Sequence, residues 1–210
     1  MRVRQTTETT HQITRRQRIK DRLAFPLIAF LSTEQARAWG LTPLDHEWIL
    51  MAIRHCSGFV LDIGCGSNEL IRQYGSGIGT DVFPWEGIDL LCDSSKLPFR
   101  DTHFDTVTLL ACLNHITDRE GVLWEARRVL KAEGRLVITM INPVVGAVVH
   151  RLRRRHDPDQ VQRGIHAHEK LGLWPAQVKT LLRNTGFALQ RRCRFVYGLN
   201  SLYVATKAIV

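Results

Sequence analysis

The run Val60-Leu-Asp-Ile-Gly-Cys-Gly-Ser67 leads from apolar residues into two glycines one residue apart. Gly64 and Gly66 let the backbone turn sharply and approach a ligand where a Cβ would intrude. In open α/β sheets ligands gather at such places, outside the carboxyl ends of strands near the switch in strand order. A dinucleotide-binding loop would add a third glycine three residues on, with pyrophosphate resting on the helix N-terminus. Glu69 stands in that position. Its carboxylate repels a pyrophosphate and tolerates a cation.

Two more acids follow at telling distances. Asp81 comes directly after Ile78-Gly-Thr80, where a second strand should end, and an acid there accepts both hydroxyls of a ribose. Asp93 and Ser94 follow a third short apolar run, placed to accept from an adenine amino group, with Leu97 or its neighbours flanking the ring. A nucleoside that carries positive charge and no phosphate fits this set. S-adenosylmethionine (SAM) is such a molecule, and NAD is disfavoured on charge.

These residues need strands and helices to carry them, and the pattern supplies both. Residues 15–40 read as one or two basic amphipathic helices interrupted at Pro26, and Thr42-Pro43 opens another through about His55. From Phe59 onward strands and helices alternate. Strands are expected at Phe59–Ile63, Ile78–Thr80, Ile88–Leu91, Thr106–Leu113 and Arg135–Ile141, then Ala188–Val196 and Ser201–Ala208. Helices are expected at Ser67–Tyr74, from Asp118 to Gly134, and from Pro175 to Gly186. The alternation predicts an α/β fold with a mostly parallel sheet and helices on both faces. Only a dozen residues separate Asp81 from Asp93, so Phe83-Pro-Trp-Glu-Gly87 is expected to make a tight link in place of a helix.

The 210 residues suit one domain with an appendage, and 44% hydrophobic content is ample for a core. Five scattered cysteines without a CxxC pair read as reduced thiols, which points to the cytoplasm. No run approaches the ~20 apolar residues of a membrane span, and Leu23–Leu31 lacks the small-residue cleavage site of a signal peptide. The net charge of +9 gathers in the first 22 residues, in Arg151–Arg155 and in Arg191–Arg194. Such clusters suit anionic partners, so peripheral contact with an anionic membrane surface is one expectation and nucleic acid is not excluded.

LDIGCG, TD, D-S-S-K-L-P-F-R-D-T-H-F-D and R-R-V-L-K-A-E-G-R-L-V-I occur in this order. Residues 45–208 thereby resemble the class I SAM-dependent methyltransferases of the ubiquinone/menaquinone and methyltransferase-domain-11 type. The resemblance implies a Rossmann-like seven-stranded sheet whose last strand runs antiparallel, in a domain over 45–210, behind a basic helical extension over 1–44. By position it gives Asp62, Gly64, Cys65 and Gly66 as the SAM loop, and Asp81 with Val82 as the ribose clamp. Asp93 and Ser94 become the adenine edge, and Leu113 a further cofactor contact. The implied cofactor is SAM, with S-adenosylhomocysteine as product, and the implied acceptor is a small molecule or a lipid- or glycan-linked group.

Methyl transfer is an in-line displacement that gains most from holding the acceptor close and aligned. A base is required only where the acceptor must lose a proton. His115, just past the fourth strand, is the first candidate for base or acceptor-orienting residue. His166 and His168 are further candidates, within an insertion at about 142–170 that also carries Arg151, Arg153, Arg154 and Arg155. The insertion is expected to close over the acceptor. A metal is not expected, since no partner ligands for the histidine pair are evident. Cys112 reads as a core residue of the fourth strand. The adenine-amino methylation motif is absent, which weighs against a nucleic-acid acceptor. A SAM-binding partner protein without turnover is the remaining alternative.

Overall fold

Successive side chains along the central strands point to opposite faces of one sheet, and each face is covered by different helices. Leu61, Ile63, Leu136, Ile138 and Tyr203 pack in one core cluster with Val122, Ala126, Val178 and Leu182 from two helices. Their strand neighbours Val60, Val137, Leu202 and Val204 pack in a second cluster with Ala52, Leu70 and Ile71 from two others. This period of two is what a sheet buried on both sides requires.

The computed structural model describes residues 14–28, 31, 33–153 and 169–208. Its elements are α1 (Arg15–Ile28), α2 (Thr33–Ala38), α3 (Leu44–Ile53), β1 (Val60–Ile63), α4 (Glu69–Tyr74), β2 (Gly77–Asp81), β3 (Leu90–Leu91) and β4 (Phe104–Leu110), followed by α5 (Arg119–Val129), β5 (Leu130–Ile141), α6 (Pro143–Arg153), α7 (Pro175–Asn184), β6 (Phe187–Phe195) and β7 (Asn200–Lys207). Among the described residues the strands form one seven-stranded sheet in the order β3-β2-β1-β4-β5-β7-β6. Strands β1 to β5 pair in parallel, while β7 runs antiparallel to both β5 and β6. The order reverses between β1 and β4, which places the switch point where the glycine pair lies.

Several boundaries differ from expectation. Helix α1 continues through Pro26 to Ile28. Helix α4 starts at Glu69 rather than Ser67, since Asn68 takes a left-handed conformation at φ 59°. Helix α5 stops at Val129 and not at Gly134, because Leu130 is already extended and pairs with Phe104. Strand β4 ends at Leu110 and not at Leu113. Ala111 turns to φ 53° and gives its N–H to the Thr139 hydroxyl at 2.9 Å, which takes the backbone off the ladder. Cys112 therefore leaves the strand, and the run Ala-Cys-Leu contains no glycine or proline to announce the turn.

Between β2 and β3 there is no helix, as the short spacing requires. Phe83 and Trp85 pack together in the link, ring centroids 4.6 Å apart and planes tilted by 53°. Helix α1 is tied by polar contacts to the link between α2 and α3. Lys20 donates to the carbonyls of Trp39 and Gly40, and the nearly buried Asp21 accepts from the Thr42 N–H. One ammonium of the basic N-terminal region thus neutralises the carbonyl end of α2. Residues 1–13 lie outside the described residues, as do Arg154 and Arg155. Arg191, Arg192 and Arg194 stand on β6 at the sheet edge, where charge discourages edge-to-edge pairing. Among the described residues no helix is long and apolar enough to cross a membrane.

Candidate functional site

Beyond the carboxyl ends of β1, β2 and β4 lies a cavity of about 1020 Å³. That is at the upper end of ligand pockets, roughly 300–1,000 Å³, and leaves room for two reactants. Among the described residues its wall contains six acidic side chains, of Asp62, Glu69, Asp81, Asp93, Asp118 and Glu169, and one arginine, Arg37, from α2. In a chain of net charge +9 the described part of the wall is thus mostly acidic.

The floor is the β1 turn. Gly64 sits at φ 70°, and a Cβ there would lie 2.7 Å from the Cβ of Cys112, so the position admits only glycine. Gly66 also has positive φ, yet an added Cβ would meet nothing within 4 Å. Its bare face is open to the cavity. The N–H groups of Gly64 and Cys65 both bond to the Thr80 carbonyl, at 2.8 and 3.0 Å, which ties the turn to β2.

Asp81 ends β2 and holds both neighbouring loops. Oδ2 accepts from the Gly66 N–H at 3.0 Å and Oδ1 from the Phe83 N–H at 2.9 Å. Val82 follows, exposed on the cavity wall. Asp62 is buried at the base, where its carboxylate accepts from the Thr108 hydroxyl. Burial pushes its pKa up to about 7, against the pull of that hydrogen bond and with help from Asp81. Burial likewise raises the Cys65 and Cys92 thiols, which are unionised at neutral pH. Asp93 is exposed and accepts from the N–H and hydroxyl of Ser95, both at 2.8 Å, and these bonds hold its carboxyl below the usual range.

Most of the residues singled out from the sequence meet here. Asp62, Gly64, Cys65, Gly66, Asp81, Val82, Asp93, Ser94 and His115 all line the cavity. Leu113 does not, being fully buried in the main core cluster; Leu110, Ala111 and Cys112 form the wall at that point. Leu97 is also in the core, and Ser94 and Ser95 face the cavity near it. Cys112 is at the wall, its thiol donating to the Ile63 carbonyl at 3.0 Å. Arg151 is exposed and stands apart from the cavity wall. His166 and His168 lie outside the described residues. Among the described residues no cluster of His, Cys, Asp and Glu is arranged to hold a metal ion.

Three positions carry weight that sequence reasoning missed. Asn68 is buried and bridges the β1 loop to the β2–β3 link, its amide donating to the Gly87 carbonyl at 3.0 Å and to Asp89 at 2.9 Å. Asp89 in turn accepts from the Gly79 N–H at 2.7 Å. The signal was present, since asparagine is among the few non-glycine residues that readily adopt the left-handed conformation. Glu169 lies against His115, Oε2 to Nδ1 at 2.6 Å, with side chains 1% and 13% exposed. Trp48 of α3 brings its half-buried indole to the cavity wall, its buried Nε1 without a partner among the described residues.

Residues 61–138 match the model of a family described as a methyltransferase domain. Over 108 residues, 41% of this chain, the sequence is 32% identical to the ubiquinone/menaquinone biosynthesis C-methyltransferase UbiE of Burkholderia mallei, and it covers 44% of that protein's length. Among solved structures, the fold is similar to the Burkholderia thailandensis 1,6-didemethyltoxoflavin-N1-methyltransferase with bound 1,6-didemethyltoxoflavin and S-adenosylhomocysteine. There the TM-score is 0.60 at 15% identity, over 96% of this chain and 94% of that one. It is also similar to a methyltransferase in complex with the Haloferax volcanii Trm112 activator, with TM-score 0.62 at 17% identity over 79% of this chain and 92% of that one. The seven-stranded sheet is therefore the fold of SAM-dependent methyltransferases.

Proposed function

We propose that this chain is a SAM-dependent methyltransferase acting on a small-molecule or lipid- or glycan-linked acceptor. The observation that carries the reading is the acidic cavity at the switch point of a basic chain, entered by a glycine turn and lacking the third glycine of a dinucleotide loop. A ligand with a sulfonium and an ammonium is favoured there by charge, and one with phosphates is not. The match at 61–138 and the methyltransferase fold support the same conclusion.

The residues present fit the cofactor. The open face of Gly66 admits close backbone approach, and Asp81 offers carboxylate lone pairs beyond its two backbone bonds for ribose hydroxyls. The oxygen of Asp93 not engaged by Ser95 is available to an adenine amino group. Asp62 and the turn would hold the cationic end. Bound SAM would supply a methyl group already activated by its sulfonium. The protein's part is then to exclude water and hold the acceptor in line, the source of most of the rate in such a displacement.

Room beyond a nucleoside supports a small acceptor, as does the toxoflavin-type ligand of one structural relative. A nucleic acid would have to bring its phosphates past acidic walls. The experiment is transfer of label from methyl-tritiated SAM into a cell extract depleted of protein and nucleic acid. Label in low-mass or lipid products bears the reading out; label confined to added RNA or DNA overturns the acceptor class.

A further inference from the structure

A surface helix ordinarily turns its apolar stripe to the core and its polar side to water. Helix α1 does the reverse. Gln17 donates to Asp21 at 2.8 Å and to the Gly40 carbonyl at 2.9 Å, and the buried Asp21 carboxylate also accepts from the Thr42 N–H. Ala24 alone among its described residues joins the small core of Ala36 and Leu41. Ile19 and Leu23, one turn apart on the outward side, are 54% and 81% exposed. Arg15 and Arg16 are exposed one turn before Ile19, and the helix carries five basic residues and one acid in all. Trp39, whose carbonyl receives the Lys20 ammonium at 3.0 Å, adds an exposed indole close to α1.

Helix α6 repeats the arrangement. Gly146 is set inward, where a Cβ would overlap the Leu171 carbonyl, while Val144 and Val148 are 61% and 53% exposed. Ala147 and Arg151 are exposed on the same side, three and seven residues after Val144. Both helices stand near the end of the sheet where the cavity lies. Helix α6 leaves the carboxyl end of β5 directly, and α1 is tied to the α2–α3 link, a few residues from Arg37 in the cavity wall.

We propose that these two outward faces dock the chain on an anionic lipid bilayer, and that the acceptor is drawn from that surface. The second part rests on the methyltransferase reading and narrows its acceptor to the lipid-linked kind. Reversible binding to such a surface needs apolar side chains that enter the headgroup–acyl boundary and cations that meet the lipid charge. Each helix supplies an aliphatic pair with arginine beside it, in a chain of net charge +9. A nucleic acid would meet the charge and leave Leu23 and Val144 in water. A fluid bilayer accommodates both faces without the shape complementarity that a folded partner would have to supply.

The test is co-sedimentation of the full chain with vesicles of phosphatidylcholine and phosphatidylglycerol in equal parts, and of phosphatidylcholine alone, at low and high salt. Binding to the anionic vesicles is expected, about tenfold or more weaker on the neutral ones and reduced by salt. Ile19→Ser with Leu23→Ser should lower anionic-vesicle binding by about tenfold or more, and Val144→Ser with Val148→Ser likewise. Arg15→Gln with Arg16→Gln should lower it by about tenfold and leave neutral-vesicle binding unchanged. All these side chains are exposed, and circular dichroism verifies the fold of each variant. Binding to neither vesicle, equal binding to both, or full binding by either serine pair overturns the docking. A dimer that the serine pairs abolish, without vesicle binding, assigns the faces to a second copy and overturns it too. Methyl-tritiated SAM is then supplied with vesicles of total cell lipid. Label in lipid products, reduced in the serine pairs, is expected, and its absence overturns the acceptor source. Failure of the wild type to bind S-adenosylhomocysteine would instead overturn the methyltransferase reading itself, with vesicle binding still measurable.

Discussion

The backbone N–H of Gly66 donates to Oδ2 of Asp81 at 3.0 Å, so the acid that ends β2 holds the glycine turn that ends β1. One carboxylate thereby shapes the loop and faces the cavity. Asp81→Ala should weaken S-adenosylhomocysteine binding by about 1–3 kcal/mol, the usual cost of leaving hydrogen-bonding groups unpaired. Asp81→Asn, which keeps one acceptor oxygen, should lose less. Calorimetric titration of the folded variants checks both, and an unchanged affinity in the alanine variant would move the ribose site elsewhere.

Asp62 gives a pH signature. Its native pKa of about 7 lies above the 3.8 of an ordinary aspartate, so the folded chain keeps a proton that the unfolded chain releases between those values. Its contribution to stability is therefore fully present below about pH 4 and is lost as pH rises through about 7, at about 1.4 kcal/mol per unit within the window. Exposed carboxylates held low by hydrogen bonds, such as Asp93, act in the opposite sense. The measurement is consequently the difference between wild type and Asp62→Asn in urea unfolding at several pH values. The variant should gain relative to wild type as pH rises from about 4 to about 7. A difference independent of pH would show that Asp62 titrates normally.

Asn68 does the work of the missing helix between β2 and β3, and it does so from a left-handed backbone. Asn68→Gly keeps that backbone geometry and removes the two side-chain bonds, while Asn68→Ala loses both. Denaturant titration should find the glycine variant destabilised by about 1–3 kcal/mol and the alanine variant by roughly 1 kcal/mol more. Equal stability of Asn68→Gly and wild type would remove Asn68 as the bridge.

Where local chemistry decides the structure, the sequence is readable. The strand–glycine–helix unit at 60–74, the short link after Asp81 and the cap by Asp118, which accepts from the Gly121 N–H, all follow from residue types at fixed spacing. What escapes is set by contacts distant in the chain. Ala111 leaves the ladder because Thr139 of the next strand offers its hydroxyl, and that puts Leu113 in the core and Cys112 at the wall. Gly134 resembles a helix stop, but pairing of Leu130 with Phe104 has already ended the helix. The His115–Glu169 contact spans 54 positions, and no local pattern marks it.

The charge of the cavity makes the identity of its ligand directly measurable. The full chain is titrated by calorimetry with SAM, S-adenosylhomocysteine and NAD in one buffer. Saturable one-to-one binding of SAM and S-adenosylhomocysteine is expected, lost or weakened in Asp81→Ala, with no heat from NAD. Binding of NAD without either sulfur-containing nucleoside would contradict the assignment of the site.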